Sequence, residues 1–149
     1  MRAIVQRVSR ASVSVDGETK SLIGKGFMVL LGAGRGDTAQ DVDYICRKLR
    51  DLRIFDDPEG KMNLGIADVA GEVLLVSQFT LYGDARKGRR PSFSEAEEPV
   101  AGLKSFELVV ETLRKMGLKV QTGIFGAHMN VELVNDGPVT ILMDSRKLF

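Results

Sequence analysis

Apolar and polar positions alternate from the start of the chain. Ala3, Ile4, Val5 and Val8, then Val13 and Val15, lead to Asp16-Gly17, a dipeptide suited to a tight hairpin turn. Two strands are expected over residues 2–15. Leu22-Ile23 opens a third, and Phe27-Met28-Val29-Leu30-Leu31 is apolar enough to be buried on both faces. From Thr38 the period lengthens: Val42, Ile45, Cys46, Leu49 and Leu52 recur at helical spacing, with Asp41, Asp43, Arg47, Lys48 and Arg50 on the other side. Thr38 is placed to cap that helix. Asp56-Asp57-Pro58-Glu59-Gly60 is turn chemistry, and Val73-Leu74-Leu75-Val76 is a buried strand running into Ser77-Gln78-Phe79-Thr80.

A polar, glycine-bearing loop follows at about 82–92. Ser94 with Glu97 has capping-box spacing, and Pro99 is tolerated in the first turn of a helix whose core face is Leu103, Phe106, Val110 and Leu113. Gly117 ends it. Strands are expected at about 118–124, 128–134 and 139–144, the last two separated by Asn135-Asp136-Gly137-Pro138. The order of strands, helix, strands, helix, strands describes an α+β fold with a mixed or antiparallel sheet and two main helices. The 149 residues suit a single domain spanning 1–149.

Composition narrows the class. With 44% hydrophobic residues, 28% charged, 16 Gly and 4 Pro, the chain can build a core, and disorder, collagen and coiled coil are excluded. The formal charge of +1 provides no overall field toward a nucleic acid or membrane, so any such partner must meet a local patch. One Cys and one His cannot build an intramolecular disulfide or a thiolate–imidazole metal cage. Charge comes too early for a signal peptide, and the longest apolar run is far short of the ~20 residues of a membrane span. A soluble, cytoplasmic protein without metal or cofactor is expected.

Several segments carry candidate chemistry. A buried strand ending in Ser77-Gln78-Phe79-Thr80 either surfaces or lines a pocket, and in extended chain Gln78 and Thr80 would share one face. Asn135-Asp136-Gly137-Pro138 reads first as a turn, and either isomer of its X-Pro bond is compatible with the residues. Arg86-Lys87-Gly88-Arg89-Arg90 places four cations within five residues, either as solvated surface or as a contact to a phosphate backbone. Cys46 lies on the apolar stripe and reads as a small core residue. His128, at a strand start, has no partner nearby in sequence. Gly32-Ala33-Gly34-Arg35-Gly36 lies between strand and helix, but its third glycine falls one position early for a dinucleotide-binding loop.

Taken together, Ser77-Gln78-Phe79-Thr80 and Asn135-Asp136-Gly137-Pro138-Val139-Thr140 make the sequence resemble the D-aminoacyl-tRNA deacylases, chiral proofreading enzymes of translation. The resemblance extends through Gln6-Arg7-Val8, Ala11-Ser12-Val13, Arg53-Ile54-Phe55, Gly60-Lys61-Met62-Asn63, Arg90-Pro91-Ser92-Phe93, Thr122-Gly123, Phe125-Gly126-Ala127 and Met129.

It implies a barrel-like fold and hydrolysis of the ester bond in D-aminoacyl-tRNA, with glycyl-tRNA as a further substrate. It also implies a homodimer in which a cis Gly137-Pro138 of one subunit enters the other's pocket and leaves no room for an L side chain. Ser77, Gln78, Phe79 and Thr80 would form the catalytic segment, with Gly137, Pro138, Arg7, Phe125 and Ala96 binding substrate. Arg7 would hold the Gly-Pro loop, and Phe125 would lie near the terminal adenosine. Arg86, Lys87, Arg89 and Arg90 would meet the tRNA. No DNA, membrane or metal partner is implied, and His128 gains no role. No Ser-His-Asp or Cys-His set stands in the sequence. A positioned water with backbone N–H groups near Phe79 and Thr80 is therefore the expected chemistry, with Thr80 orienting rather than attacking.

Overall fold

A computed structural model describes residues 1–149. The chain runs β1 (Arg2–Val15), β2 (Glu18–Ile23), β3 (Gly26–Gly32), α1 (Ala39–Asp51), β4 (Phe55–Asp56), β5 (Met62–Leu64) and β6 (Glu72–Ser77). It continues through a 3-10 helix (Phe79–Tyr82), α2 (Pro99–Lys115), β7 (Lys119–Thr122) and β8 (Asn130–Asp144). The main sheet has the order β2-β1-β3-β6-β7, with β8 added on β1. β1 pairs antiparallel with β2, β3 and β8, whereas β6 runs parallel to β3 and to β7. The sheet is therefore mixed. It curls until β2 meets β7, where the Ser21 hydroxyl donates to the Thr122 carbonyl, and the result is nearly a barrel.

Each central strand serves two cores, as its continuous apolar run predicts. Phe27, Val29 and Leu31 of β3, with Val73 and Leu75 of β6, face the helices and join Val42, Ile45, Leu49, Phe106 and Leu113. Met28, Leu74 and Val76 point the other way, into a smaller cluster with Val8, Val13 and Ile23 inside the curl. The alternation follows from the two-residue period of a strand. Phe27 stacks on Phe55 at 5.1 Å between ring centres, which ties β4 to the sheet.

The first helix begins where the pattern places it. Thr38 Oγ1 accepts from the Gln40 amide at 3.3 Å, and Asp41 returns a bond to the Thr38 amide at 2.7 Å, closing a capping box. Burial by itself would raise the Asp41 pKa. Hydrogen bonds from Ser145 and Thr38, with the Met1 ammonium nearby, outweigh it and hold the carboxyl at about 2.

Four expectations are corrected. Residues 2–15 form one strand, not two, because β8 pairs with β1 over almost its full length. The strand expected from Leu22 starts at Glu18, directly after the Asp16-Gly17 turn. Ser94 and Glu97 do not cap α2: Glu98 occupies the cap position without a side-chain bond, because residues 95–97 pair instead with 33–35. Residues 128–134 and 139–144 are not separate strands. Both parts of β8 pair with β1 in the same direction, so Asn135-Asp136-Gly137-Pro138 is a bulge that bows out and rejoins, rather than a turn that reverses the chain.

Cys46 is wholly buried, with its Sγ 3.8 Å from the Val109 carbonyl. Desolvation, aided by the Asp43 charge, pushes its thiol up to about 12. Since the thiolate is the reactive form, native protein at pH 8 is expected to resist iodoacetamide while denatured protein takes up one equivalent. Rapid labelling of the native state would contradict this packing.

Candidate active site and Gly-Pro bulge

A cavity of about 590 Å³ opens between the carboxyl end of β6, the start of α2 and the segment before β8. Ser77, Gln78 and Phe79 line it together with Ala96 and Phe125, so five residues expected in the site share one space. Ala96 is buried, and it sits there because Arg35 N donates to the Glu95 carbonyl at 2.9 Å and Glu97 N to the Ala33 carbonyl at 3.0 Å. Phe125 leans on Phe106 with ring centres 6.0 Å apart.

The strand stops at Ser77, which changes the geometry expected of the polar tail. Gln78 N donates to the Leu31 carbonyl at 2.7 Å, and the chain then turns through the 3-10 helix. Gln78 and Thr80 still meet, with Gln78 Nε2 donating to Thr80 Oγ1 at 2.5 Å, but the turn brings them together rather than strand alternation. Thr80 is exposed and is not part of the cavity wall. The N–H groups of Phe79 and Thr80 open this helical turn, where the first donors have no acceptor within the turn itself.

Arg2 anchors the same turn from the other end of the sequence. It donates to the Leu81 carbonyl at 3.0 Å and to Asp144 at 3.0 Å, and it lies 4.5 Å over the Tyr82 ring. Sequence reasoning missed this residue, since nothing at Arg2 marks its partners.

His128, set aside for want of a neighbour in sequence, stands on the cavity wall, as do Glu97 and Glu98. Glu98 pairs with Arg35 at 2.8 Å between two exposed side chains. The Gly32–Gly36 segment is not an open cradle: Gly34 N donates to Asp37 Oδ2 at 2.7 Å, and the Arg35 amide is bound by Glu95. No group of three or more His, Cys, Asp or Glu side chains is placed to hold a metal ion.

The second motif lies elsewhere. Gln6 pairs with Thr140 and Val8 with Asn135, so Arg7 alone faces the four residues Asp136 to Val139. Its side chain is 7% exposed. Nε donates to the Asp136 carbonyl at 2.8 Å, and Nη1 donates to the Ile54 carbonyl at 2.7 Å and to Asp56 Oδ1 at 3.2 Å. Asn135 closes the bulge from within by accepting from Val139 N at 2.9 Å. The Gly137–Pro138 bond is cis and both residues are exposed. Neither lines the cavity of its own chain.

Arg86, Lys87, Arg89 and Arg90 occupy a loop closed at its base by paired bonds between Asp84 and Ser92, at 2.8 and 2.9 Å. Arg86 is spoken for: it bonds Asp84 at 2.7 and 2.9 Å and holds that carboxyl far below the usual range. Lys87, Arg89 and Arg90 are exposed with no carboxylate in salt-bridge range.

The chain belongs to the D-Tyr-tRNA(Tyr) deacylase family, whose model matches residues 4–144. Its curated relatives include D-aminoacyl-tRNA deacylases of Anaeromyxobacter dehalogenans, 60% identical, and Thermotoga petrophila, 58% identical, each over all of both chains. Among solved structures, a c-Myc DNA Unwinding Element Binding Protein superposes with a TM-score of 0.91 at 42% identity, over 97% of this chain and 98% of that one. A probable eukaryotic D-amino acid tRNA deacylase shares the fold at a TM-score of 0.80 and 18% identity, over 95% and 97%.

Gly137 has φ of +140°, and an added Cβ would fall 2.8 Å from Val139 N. Gly137→Ala is therefore expected to lower stability by about 1–3 kcal/mol, measured by urea unfolding. An unchanged midpoint would show that the bulge has more room than the structure gives it.

Proposed function

We propose that this protein hydrolyses the ester linking a D-amino acid to the terminal ribose of tRNA, acting in the cytoplasm. The observation that carries the reading is the shared cavity of Ser77, Gln78, Phe79, Ala96 and Phe125 in a member of this family. The terminal adenosine lies toward Phe125 and Ala96, and the ester reaches the Ser77–Phe79 turn. Water adds to the ester carbonyl carbon, the carbonyl oxygen takes the developing charge, and the bond to the ribose oxygen then breaks as that oxygen gains a proton. The Phe79 and Thr80 amides stabilise the oxyanion, and the vicinal ribose hydroxyl assists the proton transfer.

Thr80 orients rather than attacks. An amide is no base, so Gln78 cannot activate the hydroxyl it touches. His128 is the one imidazole near the site, and His128→Asn is expected to leave kcat within about threefold, well short of the roughly 10²–10⁴ expected from loss of a general acid–base group.

Selection of hand is assigned to Gly137-Pro138 of a second copy. The bulge is exposed, is absent from its own chain's cavity, and interrupts β8, whose outer edge has no strand beside it. An unpaired edge of that length invites another chain. The partner bulge closes the side of the pocket where an L side chain would project, and glycine has nothing to reject. D-aminoacyl-tRNA and glycyl-tRNA are therefore expected to be cleaved and L-alanyl-tRNA spared. Ready cleavage of the L substrate would sink the steric filter.

The tRNA lies against Lys87, Arg89 and Arg90, with Arg86 contributing less because Asp84 holds it. Neutralising the three free cations should reduce the log–log salt slope of tRNA binding by roughly 2–3, at about 0.7–0.9 per lost phosphate contact. A slope unchanged by the substitutions would remove the loop from the interface.

A second reading, binding of nucleic acid without cleavage, is favoured by the name of the neighbour at TM-score 0.91. Release of free D-amino acid by purified protein decides between the two.

A further inference from the structure

The exposed rings at the cavity mouth are not used by the chemistry above. Phe79 is 58% exposed and Phe93 38% exposed, although both line the cavity. Their centres are 5.2 Å apart and their planes meet at 70°, so the rings form a corner with an open face rather than sealing one another. Phe93 is fixed from behind. Gly83 lies so close that a Cβ there would stand 3.1 Å from the Phe93 ring. The Asp84–Ser92 pairing places the ring directly after the base of the loop that carries Lys87, Arg89 and Arg90.

Phe79 and Phe93 both leave apolar ring area in water that burial would otherwise withdraw from it. An aromatic corner beside unpaired cations has the features of a surface for single-stranded nucleic acid, where bases stack on rings and phosphates lie along positive charge. We infer that Phe79 and Phe93 form a stacking platform for the nucleobase that precedes the terminal adenosine of the substrate's single-stranded end. The inference rests on the reading that the cavity takes that adenosine. It adds a second base subsite, with the connecting phosphates directed to Lys87, Arg89 and Arg90. The position to be tested is Phe93, since the backbone of Phe79 also serves the reaction.

The test uses the intact protein and two probes, adenosine monophosphate and the trinucleotide CpCpA, without any aminoacyl group. Wild type is expected to bind the trinucleotide more tightly, and a 2-aminopurine at its middle position should change fluorescence on binding. Phe93→Ala should abolish most of that gain, a loss of about 5- to 150-fold. Phe93→Leu, which keeps an apolar side chain against Gly83 and so guards against misfolding, should lose it too. Phe93→Trp should keep it. The inference is overturned if the trinucleotide gains nothing over the mononucleotide, or if the gain survives Phe93→Ala and Phe93→Leu. A shift of either variant to a smaller sedimenting species would instead assign the rings to contact with a second copy. Failure of the deacylase reading is seen separately, as absence of D-amino acid release by wild type in which the Phe93-dependent gain is intact.

Discussion

The guanidinium of Arg7 is the constraint on which the Gly-Pro bulge depends. Taking a cation out of water costs several kcal/mol unless its donors are satisfied. Arg7 meets that cost by donating to Ile54 just before β4, to Asp56 in β4 and to Asp136 in β8, while Arg7 itself lies in β1. Three separate elements are thus joined at one side chain. Phe55, between Ile54 and Asp56, stacks on Phe27 of β3 and makes that anchor rigid. A lysine has the charge but not the planar fork, so it cannot serve the same three acceptors.

The same constraint separates the two motifs. Ser77 pairs with Leu31 at one end of β3, whereas Arg7 pairs with Phe27 toward the other end. The turn bearing Gln78 and Thr80 therefore faces a cavity that its own Gly137 and Pro138 do not reach. In the proposed function a second copy supplies them. Arg7 then acts on a pocket in which it has no contact of its own, by fixing the shape that its bulge presents to the other subunit.

Local features were the legible ones. The α1 stripe and its Thr38 cap depend on residues within a few positions of each other, and they appear as the period predicts. Both-sided burial of β3 was equally plain in an unbroken apolar run. Features decided by distant partners were not. Ser94 and Glu97 have capping spacing, yet pairing of residues 95–97 with 33–35 outweighs a cap worth about 1 kcal/mol. Asn135 to Pro138 has turn residues, but β1 continues to offer hydrogen bonds beyond it, so the chain bulges and resumes. Gln78 and Thr80 were paired correctly for the wrong reason, since the strand they were assigned to ends before them. The pairing of Asp84 with Arg86 was local enough to find, had the loop been read for carboxylates as well as cations.

The central claim is that an Arg7-held bulge completes the pocket of another subunit, and mixed dimers test it most directly. One subunit carries Arg7→Lys and the other carries Gln78→Ala with Thr80→Ala, each homodimer being impaired on D-aminoacyl-tRNA. After the two are unfolded together and refolded, the account predicts recovered activity. In each mixed dimer the intact Ser77–Thr80 turn of the first subunit would receive the properly held bulge of the second. If bulge and pocket act within one chain, every site in the mixture carries a defect, and activity no higher than that of the separate homodimers would contradict the account.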